Sequence, residues 1–164
     1  MSALPPPIAA FWQAYVASTA GVDESRFYEA FYFGDSEALA DELAELVLTG
    51  TKRATASAFW TFEAQGKRAP VPGDLSVVTN WAGAPQCIIE TLSVEPVPFN
   101  QVTAAFAATE GEGDGSLAYW REAHERFFQR ECAQHGRAFT EDMLLACERF
   151  KVVFRPPVVR GRPG

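Results

Sequence analysis

Positive charge is scarce in this chain, and what there is lies close together. Against 21 aspartates and glutamates stand 14 lysines and arginines, for a net charge of −7 over 164 residues. A protein that coats nucleic acid through its phosphates needs a broad basic surface, so the balance disfavours long duplex DNA as a partner. Only five basic side chains fall in the first 115 residues, and four of them are Lys52, Arg53, Lys67 and Arg68. If those two turns meet in the fold, they make a positive pocket in an acidic body. That pattern suits a small anionic or polar ligand, or a short stretch of RNA.

Cysteine is also thin: three scattered residues, Cys87, Cys132 and Cys147. The odd count argues for free thiols in a reducing, cytoplasmic setting. No apolar run approaches the roughly 18 residues of a membrane span. Met1-Ser-Ala-Leu-Pro-Pro-Pro7 lacks the basic and apolar regions of a signal peptide. No C-x-x-C or paired histidines mark a zinc site, and no serine elbow or phosphate loop is present. The expectation is no cofactor, with Mg²⁺ or Mn²⁺ held by acids and water left open. What is present is 48% hydrophobic and 13% aromatic residues, enough for one domain with its own core. We assign that domain to 1–154. Residues 155–164, with three arginines and three prolines, read as a mobile tail.

Ile8, Phe11, Trp12, Tyr15 and Val16 recur at helical spacing after the prolines at 5–7, with Gly21 as the stop. The aromatic segment up to Gly34 is ambiguous. Asp35 or Ser36 caps a second helix with the stripe Leu39, Leu43, Leu46, Val47, ending at Gly50. Residues 54–62 read as a strand, 75–79 as a second, and 86–94 as a third that Glu95-Pro-Val-Pro98 breaks. Asn80-Trp-Ala-Gly83 supplies a turn. A short helix is expected near 102–107. Ser116 caps a long one with the stripe Leu117, Trp120, His124, Phe127, Phe128, and 150–154 is a last strand. The pattern predicts an α+β domain built on a small curled sheet or barrel with helical flanks.

The most informative stretch is Leu46-Val-Leu-Thr-Gly-Thr-Lys-Arg-Ala-Thr-Ala-Ser57. A helix end runs into Gly50, then two cations, then hydroxyls opening a strand. Such a junction can grip an anion or a base edge, or set a nucleophile beside an amine. Strand alternation puts Arg53, Thr55 and Ser57 on one face, with Lys52 joining them only if the chain still turns at 52–54. The alternative is a cationic helix C-terminus with ordinary strand hydroxyls. Glu110-Gly-Glu-Gly-Asp114 is either a solvated turn or a loop whose glycines let a carboxylate approach a ligand. His124 is either a bonded core histidine or a cleft residue facing substrate. Trp81, in a turn, is the tryptophan expected to be partly exposed and free to stack on a base.

Phe33-Gly-Asp-Ser36, Thr49-Gly-Thr-Lys-Arg-Ala-Thr-Ala-Ser57, Pro72-Gly-Asp-Leu75, Glu110-Gly-Glu-Gly-Asp114, Tyr119-Trp-Arg121 and Cys147-Glu-Arg-Phe150 follow one another in this order. Together they resemble an ASCH domain over about 8–154. The resemblance implies a small PUA-like β-barrel flanked by helices, and RNA or nucleoside ligands. Small bacterial members include amidohydrolases that deacylate N4-acetylcytidine, and others are metal-dependent ribonucleases. In the amidohydrolases a lysine, a threonine three residues on and a distant glutamate do the chemistry. Lys52 and Thr55 match that spacing, with Glu112 the first choice for the acid and Glu110 the second. On this reading Lys52 is the base that activates Thr55, Glu112 protonates the leaving amine, and Arg53 or Ser57 stabilises the oxyanion. Asp114, His124 and Trp81 complete the substrate wall. The alternatives are a metal-dependent ribonuclease on single-stranded RNA, with Glu112 and Asp114 as metal ligands, and a non-catalytic RNA-binding module.

Overall fold

The structure is a computed structural model and describes residues 3–156. Its elements are α1 (Pro6–Ser18), β1 (Phe27–Phe31), α2 (Glu37–Leu48), β2 (Ala54–Ala58), α3 (Phe59–Ala64), β3 (Leu75–Thr79), β4 (Pro85–Pro98), α4 (Ala104–Glu110), α5 (Leu117–Gln134) and β5 (Leu144–Phe154). The strands form one sheet in the order β1-β3-β4-β5-β2, parallel at β1/β3 and antiparallel elsewhere. The class is mixed α+β, as the patterning predicts. The ladder is open: β1 and β2 are its two edges, and no hydrogen bonds close it into a barrel among the described residues.

Successive strand residues face opposite sides, and the two sides of β3 and β4 bury different helices. Leu75, Val77 and Ile88 pack on Ile8, Trp12 and Tyr15 of α1. Val78, Cys87 and Ile89 pack on Leu43, Ala44 and Val47 of α2, with Phe33 and Phe150. The other half of the sheet is closed by a third cluster. There Ala54, Ala58, Leu145 and Cys147 meet Phe99, Phe106, Trp120 and Phe128. Each such large side chain contributes about 1.5–3 kcal/mol of burial. Ala54 and Ala58 of β2 are buried, and Ala56 partly so, in the cluster where residues of α4 and α5 cover that strand.

Several boundaries differ from the sequence reading, each for a physical reason. Residues 54–62 are not one strand. The chain turns into α3 after Ala58, and Thr61 Oγ1 donates back to Ala58 O at 2.6 Å. Glu95-Pro-Val-Pro98 does not break β4, which pairs with β5 through Pro98↔Leu144. Past Thr91, whose backbone still pairs with Gly73 and Asp74, that side of β4 has no strand partner, and a strand edge tolerates proline because no donor is needed there. β5 accordingly starts at Leu144, not 150. α1 stops at Ser18, before Gly21. The ambiguous segment holds β1. Ser36, rather than Asp35, caps α2 by accepting from Leu39 N. Ser116 caps α5 as expected. Most of the expected tail, from 157 onward, lies outside the described residues.

One glycine is indispensable. Gly111 ends α4 at φ +67°, and a Cβ there would sit 2.1 Å from Thr51 O. The two loops that carry the charged motifs touch backbone to backbone at this point. Gly111→Ala is expected to lower stability by about 2–4 kcal/mol, through left-handed strain and the clash together. Urea unfolding measures it, and a loss below about 0.5 kcal/mol would show the contact to be loose.

Candidate functional site

The turn after α2 aims Lys52 inward. Gly50 takes φ +79°, and Thr51 N and Lys52 N both return to Leu46 O, at 2.9 and 3.0 Å. Arg53 N then donates to Thr109 O at 2.9 Å, and Arg53 O accepts from Phe150 N at 3.1 Å. Residue 53 is therefore clamped by its backbone between α4 and β5, with its side chain exposed. The chain is still turning at 52–54, which swings Lys52 in and Arg53 out.

Lys52 is 2% exposed. Its Nζ donates to Ala54 O at 2.8 Å and to Glu110 Oε1 at 3.1 Å, with Glu112 Oε1 at 3.9 Å and the Phe33 ring centroid at 5.2 Å. Burying an ammonium is costly unless it is paired and hydrogen-bonded, and Glu110 supplies the pair. Glu110 is itself wholly buried. Burial alone would raise its carboxyl, but Lys52, His124 and the Trp120 indole N–H that donates to Oε2 outweigh it, holding it down at about 2.

His124 ties the same group to α5. Its Nδ1 lies 2.9 Å from Trp120 O, and its Nε2 lies 3.2 Å from Glu110 Oε2 and 3.5 Å from Glu112 Oε2. An acceptor at each ring nitrogen calls for a proton on both, hence imidazolium. Burial works against that charge, but Glu110 and then Glu112 more than restore it, so its pKa is raised. The ring stacks on Trp120 with centroids 4.1 Å apart. His124 is thus both a bonded histidine and a wall residue. Glu112 differs from Glu110: burial pushes its carboxyl up, Lys52 only partly offsets this, and its Oε2 is buried without a hydrogen bond. Of the two acids, Glu112 is the one with unused bonding capacity.

These groups open on a cavity of about 600 Å³, within the range of small-ligand pockets. Lys52, Thr55, Ser57, Glu110, Glu112 and His124 line one part of it. Three expected residues do not line it. Arg53 points outward. Asp114 is exposed and accepts from Ser116 N at 2.9 Å, fixing the entry to α5. Trp81 is 40% exposed, as expected for the turn, but it stands behind Tyr32, with centroids 4.8 Å apart, and it is Tyr32 that reaches the cavity. Four acidic groups that line the cavity were not singled out from the sequence: Glu29, Glu42, Glu131 and Glu148. Glu148 sits inside the Cys147-Glu-Arg-Phe150 motif, and a glutamate in a strand whose Cys147 and Phe150 are buried was the available signal.

Glu110, Glu112 and His124 offer ligand atoms within 4.8 Å of one another. That set could hold a divalent ion, but only after the Lys52 ammonium moves away from Glu110 and His124 gives up its proton.

The geometry is that of a small-ligand pocket at a helix-to-strand junction, and the profile of the ASCH domain matches residues 29–154. The chain belongs to this family, which is RNA-associated. A crystal structure of an ASCH domain from Lactobacillus crispatus JV V101 superposes with a TM-score of 0.85 at 43% identity, covering 94% of this chain and 99% of that one. A protein from Enterococcus faecalis V583 superposes at 0.83 with 33% identity, covering 91% and 89%. No curated protein matches the chain. Among the described residues no helix is long and apolar enough to cross a membrane.

The cluster sets the pH profile of stability. Glu110 is depressed from 4.5 to about 2, so its contribution is present above about 4.5 and is lost as pH falls toward 2. Glu148 is raised from 4.5 to about 7, so the folded state holds its proton more tightly and stability falls as pH rises through that window. Thermal melting across pH should therefore peak in the mildly acidic range. Glu148→Gln should flatten the decline between about 5 and 7. A melting temperature that climbs steadily from about pH 5 to 8 would contradict these assignments.

Proposed function

We propose that the protein is an RNA- or nucleoside-directed hydrolase that removes the acyl group from an N4-acylated nucleoside. The observation that carries this reading is the convergence of Lys52, Thr55 and Glu112 on one cavity, from segments about sixty residues apart. Thr55 is the nucleophile, Glu112 protonates the departing exocyclic amine, and its raised carboxyl suits a proton donor. Lys52 takes a different part from the base suggested by the motif. Its Nζ is a hydrogen-bond donor between two carboxylates, so it serves to stabilise the oxyanion as charge develops. Ser57 is the second hydroxyl of that wall, and Tyr28 and Phe33 offer faces for the base. On this reading the open sheet is a PUA-like scaffold, residues 1–154 are the working unit, the setting is cytoplasmic and no cofactor is needed.

A second reading, cleavage of single-stranded RNA with a divalent metal, is favoured by the Glu110, Glu112 and His124 donor set. Turnover of N4-acetylcytidine, followed by release of cytidine, separates the two. We expect EDTA-insensitive release, reduced about 10²–10³-fold in Lys52→Ala, the scale for losing an oxyanion donor, and by about 10⁴-fold or more in Thr55→Ala, which removes the nucleophile. RNA cleavage abolished by EDTA and restored by Mn²⁺, with no cytidine released, would replace the first reading by the second.

A further inference from the structure

If Lys52 is committed as a donor, the Thr55 proton needs another acceptor, and the strand pairing supplies one. β2 and β5 are antiparallel, with Thr55 directly opposite Glu148. Side chains of directly opposed residues lie on the same face with Cβ atoms about 4.5–5.5 Å apart, within reach of a glutamate arm. Both side chains line the cavity. Thr91 Oγ1 donates to Glu148 Oε2 at 2.7 Å, which anchors one oxygen, while Oε1 makes no hydrogen bond among the described residues. We propose that Glu148 is the general base of the hydrolase, taking the proton of Thr55 as its oxygen attacks the acyl carbon.

The step balances. The Thr55 Oγ–acyl bond forms and its proton passes to Glu148. The carbon–nitrogen bond then breaks, and Glu112 protonates the amine. Water next attacks the Thr55 ester. Its proton goes to the Glu112 carboxylate, and the departing Thr55 oxygen recovers the proton held by Glu148. Both acids return to their starting states.

The surroundings of Glu148 suit this duty. Burial, with Glu29 and Asp74 nearby, raises its carboxyl to about 7, against the opposing Thr91 bond and Lys52, and a base works best when poised near ambient pH. Lys67 bonds Glu29 and Arg68 bonds Asp74, so neither cation is given to Glu148. Tyr28 is itself pushed up to about 12 and stays neutral.

The inference rests on the hydrolase reading for its substrate, but its test does not. An activated ester, 4-nitrophenyl acetate, can acylate Thr55 without the natural amide, and mass spectrometry locates the adduct. The wild-type acylation rate should rise with pH to a plateau, with a midpoint at about 7. Glu148→Gln should remove that limb and slow acylation by about 30-fold or more, general-base losses being of order 10²–10⁴. Thr91→Val, which removes only the hydrogen bond that lowers Glu148, should move the midpoint upward. It decides the matter if Glu148→Gln melts early. Unchanged rate and profile in Glu148→Gln, an unmoved midpoint in Thr91→Val, or no Thr55 adduct in folded wild-type protein would each overturn the assignment. Ester acylation as described without amide turnover would leave Glu148 as the base and remove only the N4-acyl substrate.

Discussion

The site depends on one buried ion pair. Lys52 and Glu110 are 58 positions apart in sequence, and their side chains are 1% exposed on each side. Neither could be buried as a charge alone. Each fixes the other, and through them the turn after α2 is joined to the C-terminus of α4. Gly111 lets the same two segments approach at the backbone, and Arg53 N to Thr109 O adds a hydrogen bond across the seam. Trp120 and His124 bring in α5 by donating to the same carboxylate. Three helix termini and an edge strand thus converge on one carboxyl group, and the cavity is the space that remains beside it.

The pair also divides labour between two neighbouring acids. Glu110 is saturated by Lys52, His124 and Trp120 and stays ionised. Glu112, two residues on, is buried enough to favour its proton and is left with an unsatisfied oxygen. Environments that push two carboxyls apart mark an acid and its electrostatic partner. Glu148, beside Thr55 on the neighbouring strand, is the third. In a chain of net charge −7 the cationic side chains at this cavity are themselves bonded to acids, so the site offers hydrogen-bond geometry more than bare positive potential. That matches a neutral modified base better than a run of phosphates.

Helices α1, α2, α4 and α5, the serine caps of α2 and α5, and the buried strand β3 were legible in the sequence because apolar periodicity and cap residues act locally, whereas α3 was hidden inside a stretch that reads as strand. The Lys52/Thr55/Glu112 constellation was legible through motif resemblance. Long-range facts were not. Lys52 faces inward because its backbone wraps onto Leu46 before the strand begins, which alternation alone cannot show. The prolines at 96 and 98 read as a stop because nothing local reveals that β4 lacks a neighbour on that side. Arg53, Asp114 and Trp81 stand in the right motifs, yet they serve a clamp, a cap and an aromatic packing pair. Glu148 was passed over because its meaning lies across the sheet, in its register with Thr55.

The central claim is that Lys52 and Glu110 hold a pocket in which an acyl carbonyl meets Thr55. It is tested most directly by a crystal structure of the Thr55→Ala protein with N4-acetylcytidine bound. The account predicts the acyl oxygen within hydrogen-bond reach of Lys52 Nζ and the exocyclic nitrogen facing Glu112, with the Lys52–Glu110 contact intact. A nucleoside bound elsewhere, or one seated with its acyl group turned away from both residues, would contradict it.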